Sequence, residues 1–367
     1  MKGKHLTLCF FAIFMLSTQG VFPCTGIFLK SEKNEYVLAR TMEWGTFNLD
    51  SKLAIIPRGV SMIGETPDGK TGKQWTSRYG AVGISLANAP ILGEGINEKG
   101  LSMGVFYFPG YASYKPFDKS EAAKGISVLQ LGTYLLTQFS TVDEVKKGLS
   151  EIVIVPMIWE SINSVPPVHW RIADKSGKVI VLEIINNGEV KVYDSEIGII
   201  TNSPTYDWQL TNLRNYVNLH SVPANDKEVM GVLKLSPFGV GSGFLGIPGD
   251  FTPPSRFVRA TAYCATAPAL SDAYKLMSQA FVILDNFNIP IGSVYPYHKA
   301  PDLPSSTQWT SVSDVTNIEF YYTTYFNRQI RKLDLKAIDF GKVKLQVIPL
   351  DRVEKQNIEE ITIHANK

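Results

Sequence analysis

The sequence predicts a layered α+β domain. Three observations point to it. Short apolar runs of strand length occupy both ends of the chain, and helical periodicity is confined to stretches between them. No repeat, low-complexity tract or composition break divides the 367 residues. The net charge is only +2, with acidic and basic residues interspersed. That balance argues against nucleic acid or an anionic membrane surface as a partner.

Residues 1–20 read as a signal peptide. Lys2 and Lys4 give a charged start, 6–16 an apolar core, and Ser17-Thr18-Gln19-Gly20 a small, polar end. The apolar run is short for a membrane span. Cleavage after Gly20 leaves residues 21–23, Val-Phe-Pro, as a possible propeptide removed in a second step. The mature chain, one catalytic domain over 24–367, then begins at Cys24. Lipidation of Cys24 is the rival outcome, but Phe22-Pro23 is bulky and rigid where small residues are expected. The leader implies export to a bacterial periplasm or the cell exterior.

From Cys24 the apolar runs 26–30 and 36–40 flank Ser31-Glu32-Lys33-Asn34-Glu35, a β-hairpin pattern. Further strands are expected at 53–57 and 81–87, with a polar, Gly-rich loop over 64–73. Asn97-Glu98-Lys99-Gly100 turns the chain into another strand over 101–108. Helical periodicity covers 126–138 and 141–152, the second opened by Ser140-Thr141 and acidic residues. Strands return at 170–173, 179–185, 190–193 and 198–201. A helix to about 219 follows, with Ser203 or Thr205 as its cap. A Gly/Pro/Ser-rich stretch over 221–254 is long for a connection inside a compact domain, which marks function or subunit contact. Helices at 255–266 and 270–287 and strands at 308–313, 319–324 and 328–335 complete the chain.

Cys24 is the residue around which a chemistry can be built. Of three cysteines, Cys9 leaves with the leader, so Cys24 and Cys264 remain, and disulfides play no part in stability. A cysteine at a chain terminus carries a thiol and its own base, the α-amine, with an ordinary pKa of about 7.7–8.0. Such a residue needs no histidine. His169, His220, His298 and His364 are scattered, and a Cys–His dyad, with His169 nearest to a strand, stays open. No histidine or cysteine pair has metal-ligand spacing, and neither a phosphate loop nor a Gly-x-Ser-x-Gly elbow occurs. No metal and no cofactor is expected.

Five stretches resemble the choloylglycine hydrolases, the N-terminal nucleophile (Ntn) hydrolases that include bile salt hydrolases and penicillin V acylases. They are Cys24-Thr25-Gly26, Arg40-Thr41-Met42-Glu43-Trp44, Gly95-Ile96-Asn97-Glu98-Lys99-Gly100-Leu101, Thr201-Asn202-Ser203-Pro204-Thr205-Tyr206-Asp207-Trp208, and Gly249-Asp250-Phe251-Thr252-Pro253-Pro254-Ser255-Arg256-Phe257. They fall in the family's order, and the resemblance covers the chain after Pro23. It implies a four-layer αββα sandwich, two antiparallel sheets between helical layers. It implies Cys24 as nucleophile, Arg40 as the cation beside it, Asn202 as an oxyanion-hole donor and Arg256 as a second active-site arginine. Two positions depart from the family pattern. Glu43 stands where Asp contacts the N-terminal amine. Tyr107 stands where bile salt hydrolases commonly carry Asn and some penicillin V acylases Tyr; its backbone N–H would be a second oxyanion donor.

The resemblance thus implies a cofactor-free, exported amidase acting on a small-molecule amide. Glycine or taurine conjugates of bile acids are the expected substrates, penicillin V the alternative, and an N-acyl homoserine lactone a third. Phe106, Phe108 and Tyr111, with Tyr107, are candidates for an apolar acyl pocket, or equally for core. A binding protein on the same scaffold would leave Cys24, Arg40, Asn202 and Arg256 idle. The stretch over 221–249 resembles the segment with which family members build tetramers, so a homotetramer is expected.

Overall fold

A computed structural model describes residues 23–45, 49–86, 89–294 and 306–363. The leader over 1–20 and the first two residues of the expected propeptide lie outside the described residues; Pro23 is buried. Five antiparallel strands form one sheet, in the order Cys24–Lys30, Tyr36–Trp44, Ser306–Asp314, Glu319–Thr324 and Arg331–Asp334. The second sheet has eight strands. Its order is Glu189–Asp194, Val179–Ile185, Val168–Ala173, Ser102–Tyr107, Leu92–Asn97, Ala81–Ser85, Lys52–Ile56 and Gln346–Pro349.

Helices α1 (Leu131–Gln138) and α2 (Val142–Gly148) cover the outer face of the eight-stranded sheet through Leu131, Leu135, Val142 and Val145. The short α3 (Tyr206–Asn212) follows the loop that carries Asn202. Helices α4 (Pro253–Thr266) and α5 (Ala273–Asp285) cover the five-stranded sheet. The layers therefore run helix, sheet, sheet, helix, as the family resemblance implies. Most strands are buried on both faces, and Leu38, Ile96, Phe106 and Val181 pack between the two sheets.

Local chemistry explains most boundaries. In the first hairpin Ser31 Oγ accepts from the N–H groups of Lys33 and Glu35, and Asn34 takes φ 59°. Asn97 Oδ1 accepts from the N–H groups of Lys99 and Leu101, both at 3.0 Å, and Gly100 has φ +85°. Helix α2 starts on a reciprocal cap. Thr141 Oγ1 accepts from Glu144 N–H at 3.2 Å, and Glu144 Oε2 accepts from Ser140 N–H at 2.7 Å. Asp272 caps α5 by accepting from Lys275 N–H at 3.0 Å.

Several expected elements differ. Over 126–138 only α1 is helical; Gly125–Ser127 instead pairs in parallel with Val153–Val155, because Ile126 inserts between the sheet and the hairpin above it. The expected loop over 64–73 is part of that hairpin, Ser61–Glu65 with Thr71–Thr76. Residues 198–201 contribute an isolated bridge, Gly26 to Ile200, rather than a strand. The helix expected to about 219 gives way after Asn212 to a 3-10 turn, Leu213–Tyr216, and Thr205 makes no side-chain cap. The long stretch over 221–254 contains a small hairpin, Lys227–Val229 with Leu233–Leu235.

Candidate active site

Cys24 opens the edge strand of the five-stranded sheet, paired in register with Met42, while Thr25 and Gly26 pair with Thr41 and Arg40. Gly26 is required by close approach. A Cβ there would lie 2.7 Å from the Phe106 ring and 2.9 Å from Arg171 Nη1. The strand is thus pressed against the opposite sheet, and Cys24 is 2% exposed.

Three segments meet at Cys24 through one arginine. Arg256, fully buried on α4, donates from Nη1 to Thr25 Oγ1 at 2.9 Å and to the Cys24 carbonyl. Its Nη2 donates to Asn202 Oδ1 at 2.6 Å, and its Nε to the Phe251 carbonyl at 2.9 Å. Burial without an ion pair brings its pKa down to about 10. Asn202 Oδ1 also accepts the Cys24 N–H at 2.9 Å, and Asn202 Nδ2 donates to the Tyr107 carbonyl at 2.7 Å. Two donors at Oδ1 and an acceptor at Nδ2 determine the amide's orientation. One Nδ2 hydrogen remains to donate.

Arg40 lies on the neighbouring strand between the sheets. Its guanidinium donates to the Val105 carbonyl, reaches Met42 Sδ at 3.7 Å and Glu94 Oε2 at 3.7 Å, and covers the Phe106 ring at 4.2 Å. The Cys24 Sγ touches the same Met42 sulfur at 3.9 Å. Burial pushes the thiol pKa up, and Arg40 is the strongest charge opposing that rise. The Arg40 charge thus acts on the thiol, although burial outweighs its effect. Glu94, on the facing sheet, is itself buried, and desolvation lifts its carboxyl to about 7 against the pull of Arg40 and Arg171.

Glu43 does not meet the Cys24 nitrogen, which bonds to Asn202 instead. Its Oε1 accepts from Thr307 Oγ1 at 3.1 Å, its cross-strand neighbour, while Oε2 lacks a hydrogen bond. Burial raises its pKa to about 7, with Arg256 opposing. When ionised, the Glu43 carboxylate raises the Cys24 pKa and so disfavours the thiolate.

A cavity opens at Cys24. Its walls are apolar: Met42, Leu49 and Leu86 on one side, Val105, Val128 and Val168 on another, and an aromatic wall of Trp44, Tyr107 and Trp159. Trp44 meets Tyr107 edge-on at 6.2 Å and Trp159 at 5.9 Å. Burial raises the Tyr107 phenol to about 12, so it is neutral there. The other expected aromatic residues do not line this cavity. Phe106 and Phe108 are fully buried in the core, and Tyr111 stacks on Phe108 at the surface. Strand alternation explains the difference, since Val105 and Tyr107 share one face and Phe106 the other. Trp44 and Trp159 went unanticipated; Trp44 ends the motif that contains Arg40, while Trp159 lies in an irregular segment without a signal.

His169 is not the partner of Cys24. Its ring nitrogens face Glu183 Oε1 at 3.3 Å and the Thr201 carbonyl at 3.2 Å. His298 and His364 lie outside the described residues, and His220 sits in the exposed stretch before the small hairpin. Among the described residues no group of three His, Cys, Asp or Glu side chains could hold a metal ion. No helix there is long and apolar enough to cross a membrane.

The site invites comparison with known proteins. A family model described as linear amide C–N hydrolases, choloylglycine hydrolase family, matches residues 24–349. A bile salt hydrolase/transferase of Clostridium perfringens is 34% identical over 88% of this chain and 95% of its own length. A penicillin V acylase of Pectobacterium atrosepticum is 27% identical over 93% of this chain and 89% of its own. The solved conjugated bile acid hydrolase of Clostridium perfringens superposes with a TM-score of 0.79 at 28% identity, covering 92% of this chain and 100% of that one. It was solved as variants at a cysteine and at an arginine sixteen positions later, the separation of Cys24 and Arg40 here.

Proposed function

The chain belongs to the choloylglycine hydrolase family of linear amide C–N hydrolases, and from that premise we propose that it cleaves glycine- and taurine-conjugated bile acids with Cys24 as nucleophile. The observation that carries this reading is the largely apolar cavity at the Cys24 thiol, with no charged side chain among the described residues of its walls. It suits a large hydrocarbon acyl group and leaves the anionic glycine or taurine end outside. The 34% identity to a bile salt hydrolase/transferase supports the same choice.

The chemistry follows from the contacts at Cys24. Removal of residues 1–23 frees the α-amine, which takes the thiol proton. The thiolate attacks the amide carbon, and the carbonyl oxygen gains negative charge that the remaining Asn202 Nδ2 hydrogen stabilises. The α-ammonium then returns the proton to the departing amine as the C–N bond breaks. Water, deprotonated by the α-amine, attacks the thioester and releases the carboxylic acid and the thiol. That the family match begins at residue 24 supports this mature terminus. The leader over 1–20 supports export to a periplasm or the cell exterior.

Penicillin V is the second reading, favoured by Tyr107 and its aromatic neighbours Trp44 and Trp159, which suit a phenoxyacetyl group. Side-by-side kcat/KM values for glycocholate, taurocholate and penicillin V on the Cys24-terminated protein decide between them. A bile-salt preference of about tenfold, about 1.4 kcal/mol in the transition state, supports the first reading. A penicillin V preference replaces it with the second.

The assembly reading rests on the segment after α3. Val217, Met230, Val232, Phe238, Val240 and Leu245 are almost fully exposed there. Apolar side chains gathered on one projecting segment are costly to leave in water and suit a subunit contact. Together with the family resemblance this supports a homotetramer. Sedimentation at micromolar protein tests it, and a monomer there contradicts it.

A further inference from the structure

The pair His169–Glu183 lies behind the site, buried, and is not used by the chemistry above. His169 comes from strand Val168–Ala173 and Glu183 from its neighbour Val179–Ile185. Between them they hold both ends of one loop. His169 Nε2 faces the Thr201 carbonyl at 3.2 Å, and Glu183 Oε1 accepts from Tyr206 N–H, at the start of α3, at 2.9 Å. The loop they span is Thr201 to Tyr206, and its second residue is Asn202. Phe108 stacks flat on the His169 ring at 4.3 Å with 4° between planes, which sets the direction in which both nitrogens point.

Counting donors shows how the pair must be protonated. A backbone carbonyl only accepts, so Nε2 carries a hydrogen. The opposite nitrogen, Nδ1, faces Glu183 Oε1 at 3.3 Å. Two lone pairs cannot meet there, so a second proton lies between ring and carboxylate. Glu183 Oε2 is buried without a hydrogen bond, and His169 is its ion-pair partner among the described residues. The two groups thus form a unit with one shared proton, which holds the imidazole that meets Thr201 against the carboxylate that accepts Tyr206 N–H.

We infer that His169 and Glu183 are positioning residues for Asn202: their proton-bridged pair fixes the Thr201–Tyr206 loop and so aims the Asn202 amide at the reacting carbonyl. The inference rests on the proposed oxyanion role of Asn202. It also gives Phe108 a part, as the plate that orients the imidazole.

The test compares Glu183→Gln, His169→Gln and Asn202→Ala with the parent on one bile-salt substrate. In E183Q the same oxygen cannot serve both Tyr206 N–H and a neutral imidazole whose Nε2 still donates to Thr201, so one contact is lost. E183Q and H169Q are each expected to lower kcat by about ten- to a hundredfold. KM and the rate of Cys24 alkylation by iodoacetamide should stay within about twofold, because the thiol is held by a different strand. Nitrogen NMR of labelled His169 in the parent should show a protonated Nε2. A bare Nε2, or unchanged kcat in E183Q while N202A is impaired, overturns the inference and leaves the functional reading standing. Alkylation falling in step with kcat overturns it too, by making the pair a general prop of the fold. Full activity in N202A overturns both. If H169Q does not fold, E183Q decides alone.

Discussion

Arg256 Nη2 donates to Asn202 Oδ1 at 2.6 Å, and that oxygen also accepts the Cys24 N–H. A guanidinium reaching the first strand, the Asn202 loop and the Phe251 carbonyl at once sets the distance between the Cys24 thiol and the Asn202 amide. Arg256→Lys keeps the charge but cannot make the fork. It is expected to reduce kcat about a hundredfold with a smaller change in KM, as steady-state kinetics on the purified variant would show. Equal activity would mean that Asn202 needs no such anchor.

Arg40 acts on the thiol by charge. Because burial raises the Cys24 pKa and Arg40 is the main opposing charge, Arg40→Gln should move the midpoint of Cys24 alkylation upward. The pH profile of iodoacetamide labelling measures this. An unchanged midpoint would assign Arg40 to packing on Phe106 instead.

Glu43 ties stability to pH. Burial lifts its carboxyl from 4.5 to about 7, so the folded protein keeps a proton that the unfolded chain has released between those values. Its contribution to stability therefore falls as pH rises from about 4.5 to about 7 and is level above that, a loss of roughly 3 kcal/mol. Glu94, also raised to about 7, adds a loss over the same window. Glu43→Gln removes the Glu43 share, so denaturant curves from pH 5 to pH 8 should be flatter than the parent's. Parallel curves would contradict the assignment.

Tyr107 bears on acyl preference. Tyr107→Asn should shift the ratio of kcat/KM for bile salt over penicillin V by about tenfold or more toward bile salt. A parallel loss on both substrates would show that Tyr107 supports the strand end rather than the acyl group.

How much of this was legible in the sequence differs by residue. The hairpin that carries Cys24 and Arg40 shows in its alternation and in Asn34, because local turn chemistry decides it. Cys24, Asn202 and Arg256 were identified by motif, and they converge although they lie far apart in the chain. The aromatic wall of the cavity was not legible. Phe106, Tyr107 and Phe108 look alike in sequence, and only the strand's period separates the cavity-lining Tyr107 from its buried neighbours. The Glu43 bond to Thr307 was not legible, because that cross-strand partner comes from the far end of the chain. Strand Gln346–Pro349 and the hairpin over 61–76 were not legible because their strands are short and mostly exposed, too brief to show a buried face.

We propose that Cys24 attacks with its own α-amine as base. The most direct test is kcat on glycocholate and penicillin V for the protein beginning at Cys24, beside the same protein retaining Val21-Phe22-Pro23, with intact mass verifying each terminus. Turnover is expected from the Cys24-terminated form and none from the extended form. Equal turnover by a form whose mass still includes the tripeptide would contradict it.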